Sequence, residues 1–210
     1  MRKLLLVSLL LAAMGPASAS VWMIGDNDGY GKGIADNADH TFVSPIWDGR
    51  SAAEMAATDG AQFTDTYSTT HPGYSPQAGT VATFTFSGLG NSWTVGSMWF
   101  DLADFQAGTF GAAVVTYNGI VQNWAFNDGY PRTAIHSFDL TADVLASINA
   151  TGSLIINVDR NGSGDFYGFD YALLSDRAAA DGTDVPEPAS FLLLGAAMLG
   201  MAGARRRKQK

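Results

Sequence analysis

Asp26, Asn27 and Asp28 stand between Gly25 and Gly29, and no other stretch of the mature chain comes as close to having the residue types for chemistry. Two carboxylates and an amide carbonyl on a flexible backbone are hard oxygen donors, the set that Ca²⁺ takes. The stretch departs from an EF-hand loop, because no Glu stands at the bidentate position and no helical pattern flanks it. An Asx turn with solvated side chains is the alternative reading of the same residues. A second constellation runs from Trp124 to Arg132. There Asp128, Tyr130 and Arg132 set an aromatic face beside groups that bond hydroxyls, the combination that stacks on and orients a sugar ring. Trp47, beside Asp48 and Arg50, repeats it. The competing expectation for Trp93, Trp99 and Trp124 is plain core packing.

Catalysis finds less support. Neither G-x-S-x-G nor H-E-x-x-H occurs, and His40, His71 and His136 are scattered. The chain has no Cys, which removes thiol nucleophiles, thiolate metal sites and disulfides. A carboxylate pair for glycoside hydrolysis would have to come from Glu54 and a crowd of Asp, which singles out no pair. No catalytic residue is therefore expected. Between residues 20 and 184, five basic residues (Lys32, Arg50, Arg132, Arg160 and Arg177) face nineteen acids, a net charge of −14. A nucleic-acid partner is excluded on that ground, since phosphate binding requires clustered Lys and Arg.

The elements that must position these residues read as strands. Val21 to Ile24 is a short apolar strand entering the Asp-rich loop. Gln62 to Ser68 alternates, and Val81 to Phe86 alternates more clearly, with Ala82, Phe84 and Phe86 on one face. Trp93 to Asp101 is apolar on both faces, as for an inner strand. Asn118-Gly119 between Phe110–Tyr117 and Ile120–Trp124 predicts a type I′ hairpin. Ala134 to Asp139, Leu154 to Val158 and Phe166 to Leu174 are further strands. Ser51 with Glu54 has capping-box spacing, and Thr141 is placed to cap a short helix reaching about Ile148. Short strands, Gly-rich turns and few helices indicate an all-β sandwich or barrel.

The second half, roughly Thr80 to Ser175, resembles the galactose-binding-like jelly rolls of many carbohydrate-binding modules. The resemblance lies in its ending: a buried strand, a Gly turn, then the aromatic strand Phe169-Asp170-Tyr171-Ala172-Leu173. An immunoglobulin-like sandwich is the rival architecture. The resemblance implies a structural Ca²⁺ that joins the N-terminal region to the last strand. It would recruit Asp170, with Asp65, to Asp26 and Asp28.

Both ends of the sequence carry targeting patterns. Arg2 and Lys3, the apolar run Leu4 to Ala13, and Ala17-Ser18-Ala19 predict a signal peptide over 1–19, cut by the Sec and signal peptidase machinery. A sandwich ectodomain over 20–176 and a small-residue linker over 177–184 lead to a tail over 185–210. In the tail, Pro186-Glu187-Pro188 precedes the apolar run Ala189 to Ala204 and the basic stop Arg205, Arg206, Arg207 and Lys208. Lys and Arg stay on the cytoplasmic side, so the ectodomain is expected outside. Sixteen helical residues span roughly 24 Å, short of a ~30 Å hydrocarbon core. This order resembles the bacterial PEP-CTERM sorting signal. The resemblance implies processing by an exosortase at the cytoplasmic membrane, then display at the cell surface or in a polysaccharide matrix of a Gram-negative bacterium. A plain membrane anchor is the alternative. The expected function is thus a non-catalytic binding or structural module. A Ca²⁺-dependent lectin-like module and a small secreted hydrolase are the alternatives.

Overall fold

The computed structural model describes residues 19–40, 46–57, 59–68, 81–103, 105–123, 131–159 and 168–179. The expected signal peptide up to residue 18, the expected linker from residue 180 and the whole tail over 185–210 lie outside these, as do Trp124, Asp128 and Tyr130. Among the described residues no helix is long and apolar enough to cross a membrane.

The described strands are β1 (Val21–Gly25), β2 (Ile46–Asp48), β3 (Thr66–Ser68), β4 (Val81–Phe86), β5 (Ser97–Ala103), β6 (Val114–Tyr117), β7 (Ile120–Gln122), β8 (Thr133–Asp139), β9 (Leu154–Asp159) and β10 (Gly168–Ser175). The helices α1 (Ala52–Ala56), α2 (Ala107–Phe110) and α3 (Ala142–Thr151) are short. Two antiparallel four-stranded sheets, ordered β1-β10-β5-β8 and β4-β9-β6-β7, form a β-sandwich, and β2 and β3 pair beside it. The pairing is nested. First meets last (β1 with β10), then β4 meets β9, β5 meets β8 and β6 meets β7, and successive pairs alternate between the two sheets.

Period-two patterning explains which faces meet. Ala82, Phe84 and Phe86 of β4 turn inward with Ile156 and Val158 of β9, opposite Phe100 and Leu102 of β5 and Phe169 of β10. Phe84 ties the sheets together: its ring lies 5.1 Å from Phe169 and 6.4 Å from Phe100, both edge-on. Such edge-to-face pairs add roughly 0.5–1.5 kcal/mol each beyond the area they bury. β5 and β10 are buried on both faces, so Trp99, Tyr171 and Leu173 form a second cluster on the outer side of their sheet.

Local signals set several ends. Asn118 (φ 49°) and Gly119 (φ 80°) are both left-handed, which is the type I′ hairpin. Ser51 and Glu54 complete a reciprocal capping box on α1. Thr141 caps α3, whose Val144 and Ile148 face the core. Three boundaries depart from the sequence reading. The strand expected from Phe110 starts only at Val114, because Phe110 closes α2 and Gly111 follows with a positive φ. The alternating stretch from Gln62 begins as a 3₁₀ turn at Ala61–Phe63, where the Thr64 hydroxyl bonds back to the Ala61 carbonyl at 2.7 Å; the strand starts only at Thr66. Trp93 is buried but lies in the loop before β5. The Asn149 amide holds its backbone at both N–H and C=O, leaving it no ladder partner.

Candidate metal site

The site is assembled by register. Gly25 is the last paired residue of β1 and stands opposite Tyr171 of β10, so Asp26 is the next residue in line and Asp170 its counterpart. Gly25 is left-handed (φ 77°), and a Cβ there would sit 2.5 Å from the Asp170 carbonyl oxygen. Only glycine lets the chain turn this close to β10.

Asp170 owes its direction to a bulge. Phe169 pairs with Leu102 and Ala172 with Phe100, so Asp170 and Tyr171 together oppose the single residue Asp101. The extra residue re-aims the side chain, as bulges beside functional sites do. The Asp170 carboxylate accepts hydrogen bonds from the Tyr30 N–H (2.8 Å, on Oδ1) and the Gly29 N–H (3.2 Å, on Oδ2). Those amides point inward because Gly29–Gly33 is a tight turn whose first residues, Gly29 and Tyr30, are both left-handed. The Tyr30 ring is buried below, with its hydroxyl donating to Asp101 Oδ1 at 3.1 Å. Asp28 accepts the Gly31 N–H, three residues on, at 2.6 Å, which is the bond of an N-cap and not of the Asx turn that sequence reading set as the alternative.

Asp65 arrives from the other side. It follows the 3₁₀ turn in a left-handed conformation (φ 52°), and its N–H donates to the Phe169 carbonyl at 2.6 Å. The hydroxyl of its predecessor Thr64 shares its one proton between the Ala61 carbonyl at 2.7 Å and Glu54 Oε1 at 3.0 Å, and Glu54 is itself fixed by the Ser51 cap. The α1 cap thus steadies Asp65 through one intervening residue.

Asp26, Asp28, Asp65 and Asp170 each offer a carboxylate oxygen, and these atoms all lie within 4.8 Å of one another. Two oxygens on opposite sides of a Ca²⁺ ion stand about 4.6–5.2 Å apart, twice the Ca–O bond. The cluster therefore has the dimensions of a coordination sphere and can hold a metal ion. Asp65 is fully buried, and neither of its carboxylate oxygens has a hydrogen-bond partner among the described residues. A buried carboxylate left so is costly unless a cation or a proton neutralises it. Burial, then Asp170, pushes the Asp65 carboxyl up to about 10. Burial also raises Asp170, to about 6, while the Tyr30 and Gly29 amides pull it back. Burial, then Asp28 and Glu54, raises Asp26.

Sequence reading placed Asp26, Asp28 and Asp170 together, with Asp65 alongside, and the structure unites all four. It missed Tyr30, because nothing in a sequence marks a tyrosine that will be left-handed. Of the glycan candidates, Arg132 is exposed and its backbone pairs with Asp39. Trp47 lies in β2 opposite Tyr67, while Asp128 and Tyr130 fall outside the described residues. Asp48 beside it is held below the ordinary carboxylate range by the Arg50 guanidinium, which contacts both its oxygens.

Comparison with curated proteins returns no match. Residues 184–208 match the family described as the PEP-CTERM protein-sorting motif; they contain the expected Pro186, Glu187 and Pro188 and the basic stop at Arg205 to Lys208. The chain carries a PEP-CTERM protein-sorting motif, which implies export and an exosortase as its processing partner.

Proposed function

We propose that this chain is a cell-surface or matrix protein of the exopolysaccharide-associated kind. Its tail holds it at the cytoplasmic membrane until an exosortase acts, and its ectodomain is a non-catalytic jelly roll fastened by Ca²⁺. The sorting motif supports the first part. The nested strand order supports the jelly roll, because two Greek keys wrapped into two sheets give that alternation. The unpartnered Asp65 carboxylate, buried within a cluster of three further carboxylates, carries the metal reading.

All four donors are hard oxygens, with no His among them, which suits Ca²⁺ better than a transition metal. When bound, the ion supplies positive charge that lets Asp65 and Asp170 ionise together, and it cross-links the loop after β1 to β10. In this reading the protein's own residues do the positioning. Gly25 brings Asp26 in, the Gly29 and Tyr30 amides orient Asp170, and Glu54 through Thr64 sets Asp65. Trp47, Asp128, Tyr130 and Arg132 are the residues that contact polysaccharide or another envelope protein.

One observation favours a Ca²⁺-dependent lectin-like reading beside the structural one. Asp26 and Asp28 are exposed while Asp65 and Asp170 are buried, so one side of the cluster opens to solvent, where a sugar hydroxyl can reach a bound ion. A glycan array with the full-length chain in detergent, with and without EDTA, separates the readings. Binding lost on chelation selects the lectin, and binding indifferent to EDTA selects the loop surface. Turnover of a polysaccharide would overturn the non-catalytic assignment.

A further inference from the structure

The four carboxylates divide cleanly between two parts of the molecule. Asp65 and Asp170 belong to the sandwich body: Asp170 lies on β10, which is paired on both sides, and Asp65 is bonded through its N–H to Phe169 of the same strand. Asp26 and Asp28 belong to the segment that enters the fold through β1. Buried against exposed follows the same division.

β1 is the shortest strand of its sheet. It is an edge strand, paired only with β10 among the described strands, and Ile24 is its one buried residue. Beyond it, the loop to Ile34 is held to the body by the Tyr30 and Gly29 amides on Asp170 and by the Tyr30 hydroxyl on Asp101. Two negative side chains on this segment face two buried carboxylates across the β1–β10 seam. We propose that β1 and the loop through Ile34 form a strap that a Ca²⁺ ion fastens to β10, and that on loss of the ion the strap opens while the sandwich stays folded. This rests on the Ca²⁺ reading of the four carboxylates.

The physical cause is local. An ion that bridges strap and body stabilises only the state in which they touch, so its removal weakens that seam and leaves the Phe84–Phe169–Phe100 core untouched. Without the ion, the carboxylates of Asp26 and Asp28 on the strap face the Asp170 side of the body with nothing to offset their repulsion. Tyr30 is the inner hold, because opening must withdraw its buried ring and break its bond to Asp101. The open state exposes the backbone groups along one edge of β10, a free edge of the kind that recruits another strand.

The test is hydrogen exchange read by mass spectrometry on the full-length chain in detergent, in millimolar Ca²⁺ and in EDTA, beside calorimetry of Ca²⁺ binding to the same sample. The strap predicts that EDTA speeds exchange over Val21–Ile34 at least about tenfold, with β5 and β9 changed by less than about twofold. The Asp65→Asn chain should bind Ca²⁺ less tightly yet keep its strap protected in EDTA, because the amide is neutral with neither cation nor added proton and can donate to Asp170. Bound Ca²⁺ with exchange altered equally in every strand, or in none, would overturn the strap while leaving the ion site standing. Absence of a binding heat would overturn the ion site itself.

Discussion

The carboxylates of Asp65 and Asp170 are the two buried members of one cluster, and the loop after β1 provides hydrogen-bond donors to Asp170 but none to Asp65 among the described residues. Two acids so placed cannot both be charged without compensation.

Ca²⁺ should therefore raise the thermal midpoint of the protein. At a concentration one hundred times the dissociation constant, binding to the folded state alone is worth about 2.7 kcal/mol, or roughly 5–10 °C for a domain of this size. Differential scanning calorimetry of the full-length chain in Ca²⁺ and in EDTA measures it. Equal midpoints would contradict the ion site.

Acid should stabilise the cation-free chain. Asp65 and Asp170 hold their protons more tightly folded than unfolded, because burial disfavours their charged forms. Such a group contributes stability below its unfolded value, near 4, and loses it as pH rises through the folded value. The window thus runs from about 4 up to about 6 for Asp170 and toward about 10 for Asp65. Denaturation midpoints in EDTA should be higher at pH 5.5 than at 7.5, and Asp65→Asn should flatten the difference. A midpoint that climbs with pH in the wild-type chain would refute this.

Gly25→Ala should damage fold and site together. A left-handed alanine costs roughly 1–2 kcal/mol, and here its Cβ also meets the Asp170 carbonyl oxygen at 2.5 Å. Gly119→Ala is the control, being equally left-handed with nothing within 4 Å of the added carbon. Gly25→Ala should lose several degrees more in thermal midpoint than Gly119→Ala, and should also bind Ca²⁺ more weakly. Equal losses would mean the close approach does not matter.

Replacing Pro186, Glu187 and Pro188 together by alanine should stop processing in the native host. The uncut chain should accumulate in the cytoplasmic membrane fraction, as read by fractionation and intact mass. A processed product of normal mass would show that the cut does not depend on the motif.

Much of this was legible because local physics agreed with the fold. The alternation in Val81–Phe86, the Asn118-Gly119 turn and the Ser51 and Thr141 caps each survive folding unchanged. The Asp26-Asn27-Asp28 loop was visible from residue type, whereas its partners came only with the jelly-roll resemblance. The start of β3 was not legible, because a 3₁₀ turn closed by Thr64 imitates alternation. The bulge left a trace: Phe169, Ala172 and Leu174 all face the core, and the three-residue step between the first two breaks the period of two at Asp170. Tyr30 left none.

The most direct measurement is Ca²⁺ binding by isothermal titration calorimetry to the full-length chain in detergent, compared with Asp65→Asn and Asp170→Asn. One ion per chain should bind to the wild type, and each variant should bind at least about tenfold more weakly, since each removes a charged donor. No ion bound, or binding that both variants leave unchanged, would contradict a metal centre at these four carboxylates.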